Sequence, residues 1–193
     1  MLKEFKAAIF DLDGTVLDSM HVWHDVDRAF LESRSLPVED DYFEALKQRN
    51  MNECADYTIA RYSLKETPEQ LISWWNQKAK EAYHFDVQLK SGVKEYLFTL
   101  KSRSIRLAIA TSCPRELYEP ALKRLGIFEL FSVSAHTHEL GLSKSKPDVY
   151  LLCAKLLDVS PEDCIVFEDI PDAVISAKNA GMQVVGVYDN ASK

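Results

Sequence analysis

The chain has 193 residues, enough for one large domain or one domain with a modest insertion, at roughly 150 residues per domain. Hydrophobic residues make up 47% and charged residues 27%, which argues against a disordered or fibrous protein. The net charge of −7 and the lack of any long apolar run argue against nucleic acid and against a membrane as partners. The four cysteines are widely spaced and no export signal is apparent, so we expect reduced thiols in a cytoplasmic protein.

Five short apolar runs predict strands that are covered on both faces, as in a parallel sheet. They lie at residues 7–10, 107–110, 130–133, 164–167 and 184–187. Helical patterns separate them at 91–103, 114–125, 147–157 and 171–180, and the last three carry proline in the first turn. This alternation predicts an α/β fold with a Rossmann-like, three-layer core built on a parallel sheet.

Residues 17–89 have a different pattern. We find no convincing strand there, but four amphipathic stretches at approximately 20–34, 39–47, 51–63 and 68–84. A helical block inserted after the first strand predicts a small, all-helical cap domain at 17–89. The core is then discontinuous and consists of residues 1–16 and 90–193.

Polar side chains follow three of the predicted strands directly, namely Asp11 and Asp13, Thr111 and Ser112, and Glu168 and Asp169. The carboxyl ends of the strands form the ligand-binding crevice of an open parallel sheet, so we expect these side chains to converge. Carboxylates gathered there repel one another and require positive charge, for which a hard cation such as Mg²⁺ and Lys146 are candidates. Helix N-termini at the same edge favour an anion. The pattern predicts a site for a phosphoryl group.

The chain resembles the haloacid dehalogenase-like (HAD) hydrolase superfamily along essentially its whole length. Four motifs of that superfamily occur in order: Asp11-x-Asp13-Gly14-Thr15, Thr111, Lys146-Pro147-Asp148 and Glu168-Asp169. The position and helical character of the cap resemble the β-phosphoglucomutase-like branch of phosphatases and phosphomutases. The resemblance implies an Mg²⁺-dependent phosphatase that hydrolyses a small phosphorylated metabolite, most naturally a sugar phosphate, through an aspartyl-phosphate.

The resemblance also implies a role for each matching position. Asp11 would be the nucleophile, and Asp13 would protonate the leaving oxygen and then activate water. Mg²⁺ would be held by Asp11, the backbone carbonyl of Asp13 and Asp169, with Glu168 nearby or bound through water. The transferring phosphoryl oxygens would be held by Thr111, the backbone around Ser112, and Lys146.

Several alternatives stay open at this point. Lys144 competes with Lys146 for the phosphate, and Arg49 in the cap is equally consistent with a substrate contact and with a solvated turn. A phosphomutase of the β-phosphoglucomutase type, or a non-catalytic binding or regulatory protein with this fold, would share most of these residues. We expect a monomer or a weak homodimer.

Overall fold

The computed structural model describes residues 3–46, 49, 51–137 and 143–190. In chain order the elements are β1 (Ala7–Phe10), β2 (Leu17–Asp18), α1 (Val22–Ser33), α2 (Asp40–Leu46), α3 (Met51–Tyr62), α4 (Pro68–Phe85), β3 (Gln88–Leu89), α5 (Val93–Ser102), β4 (Arg106–Thr111), α6 (Arg115–Arg124), β5 (Val133–His136), α7 (Asp148–Leu156), β6 (Cys164–Glu168), α8 (Pro171–Asn179) and β7 (Gln183–Gly186). Short 3₁₀ turns at Phe128–Leu130 and Pro161–Asp163 precede β5 and β6.

The central sheet has five parallel strands in the order β5-β4-β1-β6-β7. Ile9 in the middle of β1 pairs with Ala108 on one side and Val166 on the other, and all four residues of β1 are buried. A strand covered on both faces needs apolar side chains at every position, which is the pattern in the sequence. The α/β fold with a parallel sheet and a helical segment after β1 is therefore confirmed.

One strand is displaced from its predicted position. The apolar run at 130–133 was expected to be the strand, but β5 starts at Val133, where pairing with Ala108 begins. Leu130 instead ends a 3₁₀ turn, and Phe131 follows it. The difference arises because apolar side chains indicate contact with the core and not the backbone conformation. Leu130 and Phe131 are half-buried, and the ring of Phe131 lies 6.1 Å from that of Phe10 in β1.

The chain divides into two compact units, residues 21–85 and residues 1–20 with 86–193. The smaller unit consists of α1 to α4, and its interior includes the buried side chains of Phe30, Tyr42, Trp75 and Tyr83. The division lies a few residues inside the expected boundaries of 17–89, because β2 and β3 pair antiparallel within the larger unit. Two-residue strands are too short for a sequence pattern, so they were not predicted. Among the described helices, none has the length and apolarity that crossing a membrane would demand.

Candidate active site

Neighbouring strands bring three carboxylates together at the carboxyl edge of the sheet. Asp11 follows β1, and its N–H donates to the carbonyl of Phe167 in β6 over 3.0 Å. Glu168 ends β6 and Asp169 is the next residue. One carboxylate oxygen from each of Asp11, Glu168 and Asp169 lies within 4.8 Å of the others, and all three side chains are buried. This adjacency follows from the strand order, since β1 and β6 are direct neighbours.

A tight turn after Asp11 packs against this cluster. Gly14 has a φ of +82°, and a Cβ at its position would lie 2.5 Å from Oδ2 of Asp169, so the turn requires glycine. The hydroxyl of Thr15 donates to Oδ1 of Asp169 over 3.2 Å. The hydroxyl of Ser19 donates to Oδ1 of Asp13 over 2.5 Å. These bonds hold the Asp13 carboxylate and the Asp169 carboxylate in fixed positions.

The lysine at this cluster is Lys144 and not Lys146. Lys144 is 7% exposed; its Nζ lies 2.8 Å from Oε2 of Glu168 and also pairs with Oδ1 of Asp11. Lys146 is exposed. The chain turns between Ser143 and Lys146, where the N–H of Lys146 donates to the carbonyl of Ser143 over 3.1 Å. The structure therefore places the alternative, Lys144, at the carboxylate cluster and leaves Lys146 exposed. The shape of this turn decides which lysine faces the sheet, and a motif read from the sequence does not contain that shape.

The carboxylate of Glu168 is held by three donors. Oε2 accepts from Lys144 and from the hydroxyl of Tyr150, which lies 2.9 Å away, and Oε1 accepts from the N–H of Ile170 over 3.3 Å. A fully buried carboxylate needs such partners, because it has lost its water. Tyr150 and Ser19 were not among the site residues predicted from the sequence. Neither had a local signal: Tyr150 is one more apolar position of α7, and Ser19 lies in a short connection.

Thr111 and Ser112 lie at the end of β4, on the other side of β1. Thr111 is buried, and its Oγ1 accepts from the N–H of Cys113 over 3.0 Å. Ser112 is exposed, and its Oγ accepts from the hydroxyl of Thr137 over 3.0 Å. These bonds shape the loop after β4 at the same edge of the sheet as Asp11.

Burial dominates the electrostatics of the cluster. It raises the pKa of the Asp11 carboxyl well above its usual range; the ammonium of Lys144 opposes this and the carboxylate of Glu168 adds to it. Burial alone would lower the pKa of Lys144, but the carboxylates of Asp11 and Glu168 outweigh it and raise that pKa. Lys144 is therefore protonated, and its ammonium pairs with Asp11 and Glu168 in a cluster of three buried carboxyl groups.

Three buried carboxyl groups with oxygens within 4.8 Å of one another fit a divalent cation. Carboxylate and carbonyl oxygens are the ligands that Mg²⁺ prefers, and the cluster offers carboxylates from Asp11 and Asp169. The backbone carbonyl of Asp13, in the same turn, would complete the protein ligands. Glu168 already accepts three hydrogen bonds, so it is suited to stand beside the cation.

Arg49 belongs to the helical unit. Its side chain is exposed, its guanidinium lies 4.5 Å from the ring centroid of Tyr57, and it donates to the carbonyl of Ala45. The stacking and the hydrogen bond hold the guanidinium in one orientation. Lys47, its basic neighbour in the sequence, lies outside the described residues.

Comparison with known proteins agrees with the motifs. The family model described as "Haloacid dehalogenase-like hydrolase" matches residues 8–187. The "Phosphorylated carbohydrates phosphatase" of Thermotoga maritima is 29% identical over 178 residues, which are 92% of this chain and 82% of that protein. The "Beta-phosphoglucomutase" of Bacillus subtilis is 30% identical over 195 residues, covering 94% of this chain and 83% of that protein.

Solved structures show the same architecture. A crystal structure from Thermotoga maritima, described as a candidate β-phosphoglucomutase, superimposes with a TM-score of 0.87 at 29% identity, covering 95% of this chain and 86% of that one. A β-phosphoglucomutase from Clostridium difficile shares the fold with a TM-score of 0.71 at 23% identity, covering 97% and 86%.

Proposed function

The chain belongs to the haloacid dehalogenase-like hydrolases, in their β-phosphoglucomutase-like branch, and we propose that it is an Mg²⁺-dependent phosphatase working through a phosphorylated Asp11. The observation that carries the proposal is the buried cluster of Asp11, Glu168 and Asp169, with Lys144 against it. Such a cluster can hold a cation beside a nucleophile. Retention of the whole set argues for turnover and against a purely regulatory protein.

In the first half of the reaction, a carboxylate oxygen of Asp11 attacks phosphorus and the ester P–O bond breaks. The leaving alkoxide takes a proton from the carboxyl group of Asp13. The Ser19 hydroxyl, 2.5 Å from Oδ1 of Asp13, holds that side chain for the transfer. The products are a free alcohol and an aspartyl-phosphate, so one difficult displacement is divided into two easier steps.

In the second half, Asp13 removes a proton from water as that water attacks the phosphorus of the aspartyl-phosphate. The bond between Asp11 and phosphorus breaks, which returns the Asp11 carboxylate and releases inorganic phosphate. Bound Mg²⁺ would neutralise charge on the transferring group, while Thr111, the backbone at Ser112 and Lys144 hold its oxygens. Positioning and charge neutralisation are the main sources of catalysis in phosphoryl transfer.

The substrate class is proposed from the relatives. The names "Phosphorylated carbohydrates phosphatase" and "Hexitol phosphatase B" of Escherichia coli, which is 29% identical, support a phosphorylated sugar or polyol as the substrate. In this proposal residues 17–89 form the cap that selects the substrate, with Arg49 contributing. The β-phosphoglucomutase relative supports phosphomutase activity as the second candidate.

A substrate panel tests the proposal. Wild-type protein, with Mg²⁺ or with excess chelator, is assayed against sugar phosphates, nucleotides and phosphorylated acids, together with Asp11→Asn. We expect Mg²⁺-dependent release of phosphate by the wild type and none by Asp11→Asn, whose amide is a poor nucleophile. Full activity in excess chelator, or in a pure preparation of Asp11→Asn, would overturn it. Rapid conversion of β-glucose 1-phosphate to glucose 6-phosphate, with a trace of the bisphosphate and little free phosphate, would favour the phosphomutase.

A further inference from the structure

Lys90 connects three separate segments of the core unit. Its Nζ lies 2.8 Å from the carbonyl oxygen of Gly14, 2.8 Å from that of Tyr188 and 2.9 Å from Oδ2 of Asp189. An ammonium group has three N–H donors, so all of them are used. The side chains of Lys90 and Asp189 are only 20% and 10% exposed. The backbone N–H of Lys90 also donates to the carbonyl of Val16 over 3.0 Å, so Lys90 binds the turn after Asp11 twice.

The carbonyl that Lys90 binds lies next to the acidic cluster. Gly14 has positive φ and packs so closely on Asp169 that a Cβ would lie 2.5 Å from Oδ2. The next residue, Thr15, donates its hydroxyl to Oδ1 of the same carboxylate. The two residues joined by the Gly14–Thr15 peptide therefore both contact Asp169. The N–H of this peptide donates to the carbonyl of Leu12 over 3.2 Å, and Lys90 binds its carbonyl, so both polar groups of the peptide are held. Because glycine has the most backbone freedom of any residue, the bond from Lys90 adds a second restraint on the orientation of the peptide.

We propose that Lys90 is a positioning residue for the phosphoryl-transfer site: it orients the Gly14–Thr15 peptide, and through it the Asp169 carboxylate and the metal that this carboxylate binds. The expected effect of Lys90 on catalysis rests on the proposed phosphatase function. Lys90 touches no reacting atom, and its charge is already paired with Asp189. Its role is to supply a donor to a buried carbonyl, which an apolar side chain of similar size, such as methionine, cannot do.

Three variants separate positioning from general stability. Lys90→Met removes the donor, and Lys90→Arg keeps a cationic donor of similar reach. Lys94→Met is the matched control, since Nζ of Lys94 donates to the carbonyl of Leu125 over 2.8 Å, outside the acidic cluster. Mn²⁺ replaces Mg²⁺ as a probe whose binding is followed by electron paramagnetic resonance without any turnover, and thermal unfolding is recorded for each protein.

For Lys90→Met we expect Mn²⁺ affinity and kcat to fall by about 10-fold or more, the usual effect of losing a residue that orients a ligand, with KM for substrate changed by less than about 2-fold. Lys90→Arg recovers most of the loss, and Lys94→Met behaves as wild type. Unchanged Mn²⁺ affinity in Lys90→Met would overturn the inference, as would equal losses in Lys90→Met and Lys94→Met. A wild-type protein that binds Mn²⁺ but hydrolyses no ester would contradict the proposed function, and the Mn²⁺ titration would still decide the role of Lys90.

Discussion

Nζ of Lys144 lies 2.8 Å from Oε2 of Glu168, and the two side chains are 7% and 0% exposed. The same ammonium pairs with Asp11, so it links the proposed nucleophile to a carboxylate at the end of the neighbouring strand. A buried ion pair of this kind depends on each partner, because removing one leaves an uncompensated charge. The lysine thereby fixes where the Asp11 carboxylate lies before any substrate binds.

The two lysines of this loop are expected to differ sharply. Lys144→Met should lower kcat/KM by about 100-fold or more, the scale seen when one electrostatic contact to a transition state is removed. Lys146→Met, at an exposed position, should change kcat/KM by less than about 2-fold. Steady-state kinetics on the preferred phosphate ester, with circular dichroism to verify folding, make the comparison. A large loss of kcat/KM in Lys146→Met, together with an active Lys144→Met, would reverse the assignment of Lys144 as the lysine of the site.

Asp169 should control the metal requirement. Asp169→Asn removes one anionic ligand while Asp11 and Glu168 remain in mutual repulsion, so the Mg²⁺ concentration for half-maximal activity should rise by about 10-fold or more. Asp172→Asn, an exposed carboxylate in the first turn of α8, is the matched control and should leave it unchanged. The measurement is an Mg²⁺ titration at saturating substrate. An equal rise in both variants would point to a general effect of charge.

Asp27 in α1 should make stability depend on pH. Burial raises its pKa to about 7, with a weak opposing hydrogen bond from the Tyr42 hydroxyl at 3.5 Å. The folded protein therefore keeps a proton on Asp27 up to about pH 7, whereas the unfolded chain releases it at about pH 4. As the pH rises from about 4 to about 7, the contribution of this group to the free energy of unfolding falls. At pH 8 the charged form costs on the order of 4 kcal/mol, from a pKa rise of about three units.

Asp27→Asn should remove this cost, since the amide carries no charge at any pH. The variant should be more stable than wild type at pH 8, and the difference should shrink at pH 5. Urea denaturation at both pH values measures it, and Asp25→Asn on the exposed side of the same helix is the control. If the stability difference between Asp27→Asn and wild type instead grows towards pH 5, the raised pKa of Asp27 is contradicted.

Arg49 should affect the choice of substrate more than the chemistry. A guanidinium is suited to bind phosphate or hydroxyl groups of a substrate, so Arg49→Ala should change the ratio of kcat/KM between the preferred metabolite and p-nitrophenyl phosphate by about 10-fold. Arg28→Ala is the matched control, because Arg28 also stacks on an aromatic ring of the helical unit, 5.8 Å from the centroid of Phe43. If both substrates lose activity equally in Arg49→Ala, the residue acts on stability.

The sequence by itself determined the fold class and the general place of the site. Strands such as β1 and β6 are buried on both faces, so their apolar composition identifies them locally. The polar residues of the site lie at or directly after the carboxyl end of each of these strands. Asp11, Glu168 and Asp169 could be predicted to meet because neighbouring parallel strands end at one edge. Gly14, whose φ is +82°, supplies the tight turn after Asp11 that a residue with a Cβ could not form.

The tertiary structure alone decided which lysine enters the site and what holds its carboxylates. Lys144 and Lys146 are two residues apart with the same chemistry, and only the path of the loop distinguishes the buried one from the exposed one. Tyr150 and Lys90 reach their acceptors from elements that are distant in the chain. Such contacts depend on how helices and connections pack on the sheet, and that packing is set by the whole fold and not by any local pattern.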